Sequence, residues 1–484
     1  MGGRSSKLKY NQRTGPHQEI TVDEAVERIG MGRFQNLVLF ATGTCFMADS
    51  VQVMLLSILT RKLQSEWEFE DAYISVINSC LFLGASVGTL FLGPLGDRIG
   101  RKPILVAAAS IISCFGLMTS FITRYEMLYP IIFSVGFGIG GLTVPFDIMA
   151  EFLPMEPRGY YLLFIKYYWT AGSMLVPILA YVTLELFYSW RLFAAVCIIP
   201  VLLSLVFGVL FVPESPRWLV QRGKKEKALK ILRKAAERNG KDPYEVFPIG
   251  MVLADEEQEH AEFKELFSPM WKKTVMKLGS LWMLYCFCFF GAIMIVARIF
   301  DETDDDNSPD FDYVAIFVSN AAELLGTFSA IMLIDRIGRV KTLVGGFVCA
   351  GMSLFILCLS SSVAPRDFLI GMATISRAAM MAVACVVWTV TAELLSTELL
   401  ATGHSMMNSL ARAGAFLSPY VTEEVPFWCV GVIFLGVNFF SASTAASLPE
   451  TKGVKLGQAV QIEHSKTLEM TKSQELGTDY DRMT

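Results

Sequence analysis

The chain has 484 residues, 53% hydrophobic and 18% charged, with a formal net charge of −5 and a mean hydropathy of +0.47. Its charge is bunched into short islands separated by stretches of about 20 residues almost free of it, the length of a membrane-spanning helix. This excludes an ordinary cytosolic enzyme, a secreted disulfide scaffold, a disordered chain and a nucleic-acid binder. The first 33 residues are polar, with no apolar core or cleavage site, so the first span is expected to direct insertion itself. Met1, Gly2 and Ser6 satisfy the N-myristoylation pattern, although a protein that already spans the bilayer gains little from an acyl chain.

In chain order the hydropathy predicts spans over 34–59, 72–93, 103–123, 127–149, 160–183 and 192–212, then 275–300, 313–334, 342–361, 368–394, 403–421 and 427–447. The predicted organisation is an N-terminal segment 1–33, a six-helix bundle 34–212, a link 213–274, a second six-helix bundle 275–447 and a tail 448–484. All ten cysteines, Cys45 to Cys429, fall inside apolar stretches, so no loop holds a pair for a disulfide staple. Most of the 41 Lys and Arg fall on the side of the termini and link, which the positive-inside rule makes cytoplasmic. The loop Asp301 to Asp312, with seven acidic residues, then faces outside or a lumen. It matches no calcium-loop spacing and reads as a solvated charged loop.

After the second span stand Gly93, Pro94, Gly96, Asp97, Arg98, Gly100, Arg101 and Lys102; after the eighth stand Asp335, Arg336, Gly338, Arg339 and Lys341. Two copies at equivalent places identify a duplicated six-helix unit, with Gly for a tight turn and Asp and Arg for charge-assisted contacts. Glu151, Pro154, Arg158 and Gly159 close the fourth span; Pro213, Glu214, Ser215, Pro216 and Arg217 follow the sixth; Pro449, Glu450, Thr451 and Lys452 follow the twelfth. With these motifs the chain resembles the major facilitator superfamily, in the branch of organic ion transporters, sugar porters and synaptic vesicle two-related proteins. The lead-in from Thr21 to Gly30, Met47 to Ser50, Gly136 to Gly141 and Ala150 to Pro154 look most like the synaptic vesicle two-related organic ion transporters. The resemblance covers about residues 21 to 455. It implies an all-α membrane protein of twelve transmembrane helices in two pseudo-symmetric six-helix bundles, moving a small organic ion by alternating access.

Three departures from the family pattern stand out. The tenth-span exit reads Glu393, then Ser396 and Thr397, with Leu400 where the family has Arg. The loop near 60–71 lacks a large cysteine-bearing domain, and Leu281 to Gly291 lacks the glutamine pair of hexose porters, which counts against a sugar. The gating set implied by the motifs is Asp97, Arg98, Arg101, Glu151, Arg158, Asp335, Arg336, Arg339 and Glu393.

An ionisable side chain at mid-span costs about 2.5 to 3.5 kcal/mol, so each must face a partner or a watery cavity. Arg412, flanked by Ala411, Ala413 and Gly414, is positioned to take a carboxylate, or else to pair with Glu323. Arg377 is either a structural pair or a second substrate contact. Lys166, followed by Tyr168 and Trp169, either reaches a cavity or snorkels to the surface, and an aromatic beside it could stack on a planar substrate. Asp49 is the proton-coupling candidate, although Ile132 stands where relatives carry its arginine partner. The expected ligand is an organic anion, a monocarboxylate with a planar body; a sugar, an organic cation and a non-transporting receptor or vesicle protein remain open. His17, His260, His404 and His464 form no metal spacing, and no nucleophile motif or phosphate loop appears. The remaining expectations are no cofactor, no enzyme activity, a monomer, the lipid bilayer as partner, and a plasma or vesicle membrane.

Overall fold

The computed structural model describes residues 19–255, 263–301, 311–453 and 459–461. Gly2 and the acidic stretch 302–310 lie outside them. The first six long helices are Arg33–Trp67, Asp71–Ile99, Arg101–Thr119, Tyr125–Glu151, Arg158–Leu186 and Trp190–Phe211. The second six are Lys272–Ile299, Tyr313–Ile337, Arg339–Ser360, Arg366–Leu394, Thr397–Glu424 and Phe427–Ala446. Eleven are long and apolar enough to cross a membrane. The exception, Thr397–Glu424, has 28 residues, ample length, but carries Asn408, Arg412, Ser418 and Glu423 on its buried side. Its polarity is turned into the protein.

The packing is two-fold in pattern. Helix two packs on four as eight on ten, one on five as seven on eleven, and three on six as nine on twelve. Small residues let the backbones meet: a Cβ at Gly84 would lie 2.1 Å from the Phe133 carbonyl, and one at Gly326 2.2 Å from that of Ala378. The halves join through helix two on eleven and five on eight, contacts that the same two-fold exchanges.

The first helix outlasts its apolar run by two turns. Residues near 60–67, read from sequence as loop, are helical because Arg61 is turned inward, bonding Glu423 and lying 3.4 Å from Asp301. At the other end the N-terminal segment is built onto the link. Glu19–Ile20 pairs in parallel with Val252–Leu253, and the helix Val22–Ile29, opened by a Thr21/Glu24 capping box, packs on the link helix Lys225–Arg238. Asn239 fixes the junction, accepting from Phe34 N at 2.8 Å and donating to Gln35 Oε1 at 2.8 Å. This end is the link side below; the opposite end is the far side.

Candidate functional site

Each half carries one charged box on the link side. In the first, Glu214 accepts from the backbone N–H of Arg101 at 2.8 Å and Lys102 at 3.2 Å, capping the third helix. Arg101 reaches Asp147 at 2.9 Å and Glu151 at 3.3 Å, and Ser215 donates to Glu151. In the second, Glu450 accepts from Arg339 N at 2.9 Å and Val340 N at 3.1 Å, Arg339 forks onto Glu393 at 2.8 and 3.0 Å, and Thr451 donates to Glu393. Gly100 and Gly338, with φ of +117° and +98°, turn the chain between them. A Cβ there would lie 2.4 Å from Glu214 Oε2 and 2.6 Å from Glu450 Oε2. Glu214 and Glu450 are absent from the sequence-derived gating set, and the repeated Pro-Glu-Ser and Pro-Glu-Thr was the signal that could have found them.

The remaining gating candidates are peripheral to these boxes. The Asp97 and Asp335 carboxylates make exposed i,i+4 pairs with Arg101 at 3.8 Å and Arg339 at 3.3 Å, a type worth little. Arg98 and Arg336 are exposed. Arg158 donates to the Leu153 carbonyl at 3.0 Å and lies 3.5 Å from Asp23 of the N-terminal helix. Leu400 offers no such charge in the second half.

Burial pushes the Glu450 carboxyl up, but the N–H groups of Arg339, Val340, Lys452 and Thr451 outweigh it and hold it below its ordinary 4.5. The stability it contributes is therefore complete above pH 4.5 and lost as pH falls through the lower folded value. Glu450→Ala is expected to lower the melting temperature of the detergent-solubilised protein at pH 7, with the deficit closing in acid. A deficit equal at all pH values would contradict the linkage.

At the centre three layers stack along the bundle. In the middle layer Asp49 lies within Coulombic range of both Arg412 and Lys166, and Arg412 also faces Tyr285 and Cys286. Asp49 Oδ1 is buried without a hydrogen-bond partner among the described residues. On the link side of these charges sits an aromatic layer: Phe146 from the first half lies 5.0 Å from Trp388 and 6.4 Å from His404, which packs 5.2 Å from Trp282. Lys166 Nζ lies 4.3 Å over Trp388, whose Nε1 donates to the Tyr285 hydroxyl at 3.3 Å.

On the far side of the charges lies a buried pair. Arg377, 1% exposed, donates to Glu323, 0% exposed, and to Asn320 Oδ1 at 3.3 Å. Across the half-interface Thr170 and Ser173 donate to Glu323 Oε2 at 3.1 and 3.3 Å, and Asn320 donates to the Ser173 carbonyl at 2.8 Å. Farther out, Ser79 donates to the Phe416 carbonyl at 2.9 Å, Tyr313 to Glu185 at 2.9 Å, and Arg61 bonds Glu423. Cross-half hydrogen bonds and ion pairs thus lie on the far side, while the aromatic layer joins the halves on the link side. On the link side the exposed faces of helices five and eight border an open apolar groove of about 350 Å³ lined by Tyr160, Phe164, Tyr167, Phe328, Ile331 and Met332, apart from the central charges.

The structure therefore brings Asp49, Lys166 and Arg412 together and gives Glu323 to Arg377. Trp169 turns inward onto Phe289 and Phe290, ring centroids 6.0 and 6.4 Å away. Tyr168, about 100° round the helix, packs instead on Gly43 and Phe40 of the first helix. Phe146, Tyr285, Trp388 and His404 gave no sequence signal, being spread over four helices within apolar runs.

Residues 28–462 match the family described as sugar (and other) transporter. The chain belongs to that family. Its transporters are major facilitators, membrane proteins and not enzymes. The chain is 28% identical to the synaptic vesicle 2-related protein of Xenopus laevis, covering 89% of this chain and 81% of that protein. It is 28% identical to the putative transporter SVOPL of Mus musculus, with coverages of 90% and 93%. Identity to the organic cation/carnitine transporter 7 of Arabidopsis thaliana is 26%, with coverages of 84% and 89%. The proton:xylose symporter XylE bound to 6-bromo-6-deoxy-D-glucose superposes with a TM-score of 0.68 at 18% identity, covering 89% of this chain and 99% of that one. A partially occluded inward open XylE from E. coli gives 0.68 at 20%, with coverages of 87% and 100%. The fold is thus that of the major facilitators, twelve helices in two bundles, in a multi-pass integral membrane protein.

Proposed function

We propose that this transporter carries a small organic anion, a monocarboxylate with a planar body, by rocking its two halves about the middle layer. The observation that carries the reading is the company of Arg412: two cations, buried Arg412 and half-buried Lys166, share one buried carboxylate, Asp49, leaving an excess of one positive charge. In a water-poor interior that excess calls for an anion. Trp388 and Tyr285 border the charges and suit the faces of a flat substrate. Relatives named for sugars and for organic cations lie in the same family, so the charge of the site and not the family name supports this choice. Positive-inside bias makes the link side cytoplasmic, and the relatives' names favour a vesicle membrane. A single chain holds the whole site, consistent with a monomer.

Asp49 supplies a route to proton coupling. While ionised it competes with substrate for Arg412 and Lys166; protonated it releases both, so anion and proton bind together. Asp49→Asn, a fixed neutral mimic, is expected to remove the dependence of uptake on an inward proton gradient. The test is uptake into proteoliposomes of the purified protein, with benzoate-type acids, quaternary amines and hexoses compared with and without that gradient. Competition by amines or hexoses alone would overturn the anion reading, and a gradient response that survives in Asp49→Asn would overturn the coupling role.

A further inference from the structure

The far-side layer contains hydrogen-bond donors that the fold leaves unused. Arg377 donates through Nη2 to Glu323 and Asn320; its Nε and Nη1 are buried with no hydrogen-bond partner among the described residues. The indole Nε1 of Trp169, 8% exposed, is likewise buried and unanswered. Both groups border one ring: the Arg377 guanidinium carbon lies 5.7 Å from the Phe289 centroid and the Trp169 ring 6.0 Å from it. Buried donors in native structures are nearly always satisfied, and three nitrogen donors around one aromatic ring are a concentration of unmet demand.

These donors sit one helical turn from the charged layer. Thr170, whose hydroxyl donates to the Lys166 carbonyl at 3.3 Å, follows Lys166 by four residues, as Phe289 follows Tyr285. One turn is about 5.4 Å, close to the separation of para substituents across a benzene ring. Cys385 lies within Coulombic range of both Lys166 and Glu323, so the two layers are contiguous.

Resting on the anion reading above, we infer that Arg377 and Trp169 form a second recognition point, which binds a neutral oxygen acceptor at the end of the substrate opposite its carboxylate. The acceptor is neutral because Glu323 already cancels the charge of Arg377. A second carboxylate would be set beside that of Glu323 with no spare cation, whereas a ketone or amide oxygen accepts from N–H groups without that repulsion. The substrate class is a planar monocarboxylic acid with a distal carbonyl oxygen.

The experiment compares 4-acetylbenzoate, 4-isopropylbenzoate and terephthalate in proteoliposomes of the full chain, reading kcat/KM for each. They share the ring and first carboxylate and differ in presenting a neutral acceptor, none, or a second charge. Wild type is expected to prefer 4-acetylbenzoate over each of the others by about tenfold, the worth of about one buried hydrogen bond. Trp169→Phe, which keeps a ring and deletes one of the donors while Arg377 keeps its own, is expected to lower the acetyl-to-isopropyl ratio, whatever the absolute rates. The wild-type comparison alone decides the inference should that variant fold poorly. Equal transport of the acetyl and isopropyl acids, as when water answers these donors, or terephthalate transported as well as 4-acetylbenzoate, overturns the second point and leaves the anion reading standing. A preference undiminished in Trp169→Phe overturns the assigned site. If none of the three acids enters or competes, the anion reading falls and this inference with it.

Discussion

Replacing Arg412 by alanine is expected to abolish anion uptake while leaving a folded, membrane-inserted protein. Arg412 is buried at 9% exposure and makes no ion pair or hydrogen bond with a described residue; its electrostatic neighbours are Asp49, Lys166, Tyr285 and Cys286. Its removal therefore strands no directly bonded partner, and Asp49 keeps Lys166 in range. Binding, by contrast, loses the cation that answers the substrate carboxylate. Truncating one member of a buried charge pair costs about 2 to 5 kcal/mol, on the order of a hundredfold or more in affinity. Arg412→Lys keeps the charge but not the planar fork and should fall between the two. Uptake, with size-exclusion profile and melting temperature as controls for folding, checks the effect. Unchanged anion uptake in Arg412→Ala would falsify the proposed site.

Glu323→Ala is expected to have the opposite profile, a large loss of stability. The Arg377 guanidinium would be left charged, fully buried and without a carboxylate, a change that costs about 3 to 5 kcal/mol. The hydroxyls on the first half lose less. Thr170 also donates to the Lys166 carbonyl at 3.3 Å and Ser173 to the Thr170 carbonyl at 2.9 Å, so each retains a partner in its own helix. The cost is concentrated on Arg377, which gives the test its form. Removing both charges in Glu323→Leu with Arg377→Met should recover most of the melting temperature lost in Glu323→Ala, because two apolar side chains of similar volume need no partner. If the double variant melts no higher than the single one, the pair does not act as a unit.

Span number, the duplicated half and the charged turns follow from composition and spacing, because a bilayer forces about 20 apolar residues into every crossing. The boxes at Arg101 and Arg339 were largely legible for the same reason: their members lie in short motifs at equivalent places in the two halves. The polarity of Thr397–Glu424 was legible too, as was the demand that Asp49, Lys166, Glu323, Arg377 and Arg412 each find a partner or a cavity.

Which partner each one finds was not. From sequence Glu323 was offered as a pair partner for Arg412 alone, and Arg377 had no named partner, although both arginines lie near mid-span on helices of the same half. Helix eight packs on ten, and that contact gives Glu323 to Arg377 and leaves Arg412 to Asp49 and Lys166 across the half-interface. Likewise, a single 100° step of the helix separates Trp169, turned onto Phe289, from Tyr168, turned onto Gly43. Hydropathy fixes how deep a residue sits in the bilayer; helix rotation and the choice of neighbouring helix fix what it touches. Those are set by side-chain packing between segments far apart in the chain, and so the division of these five charges into a buried ion pair and a central cluster was decided only in the tertiary structure.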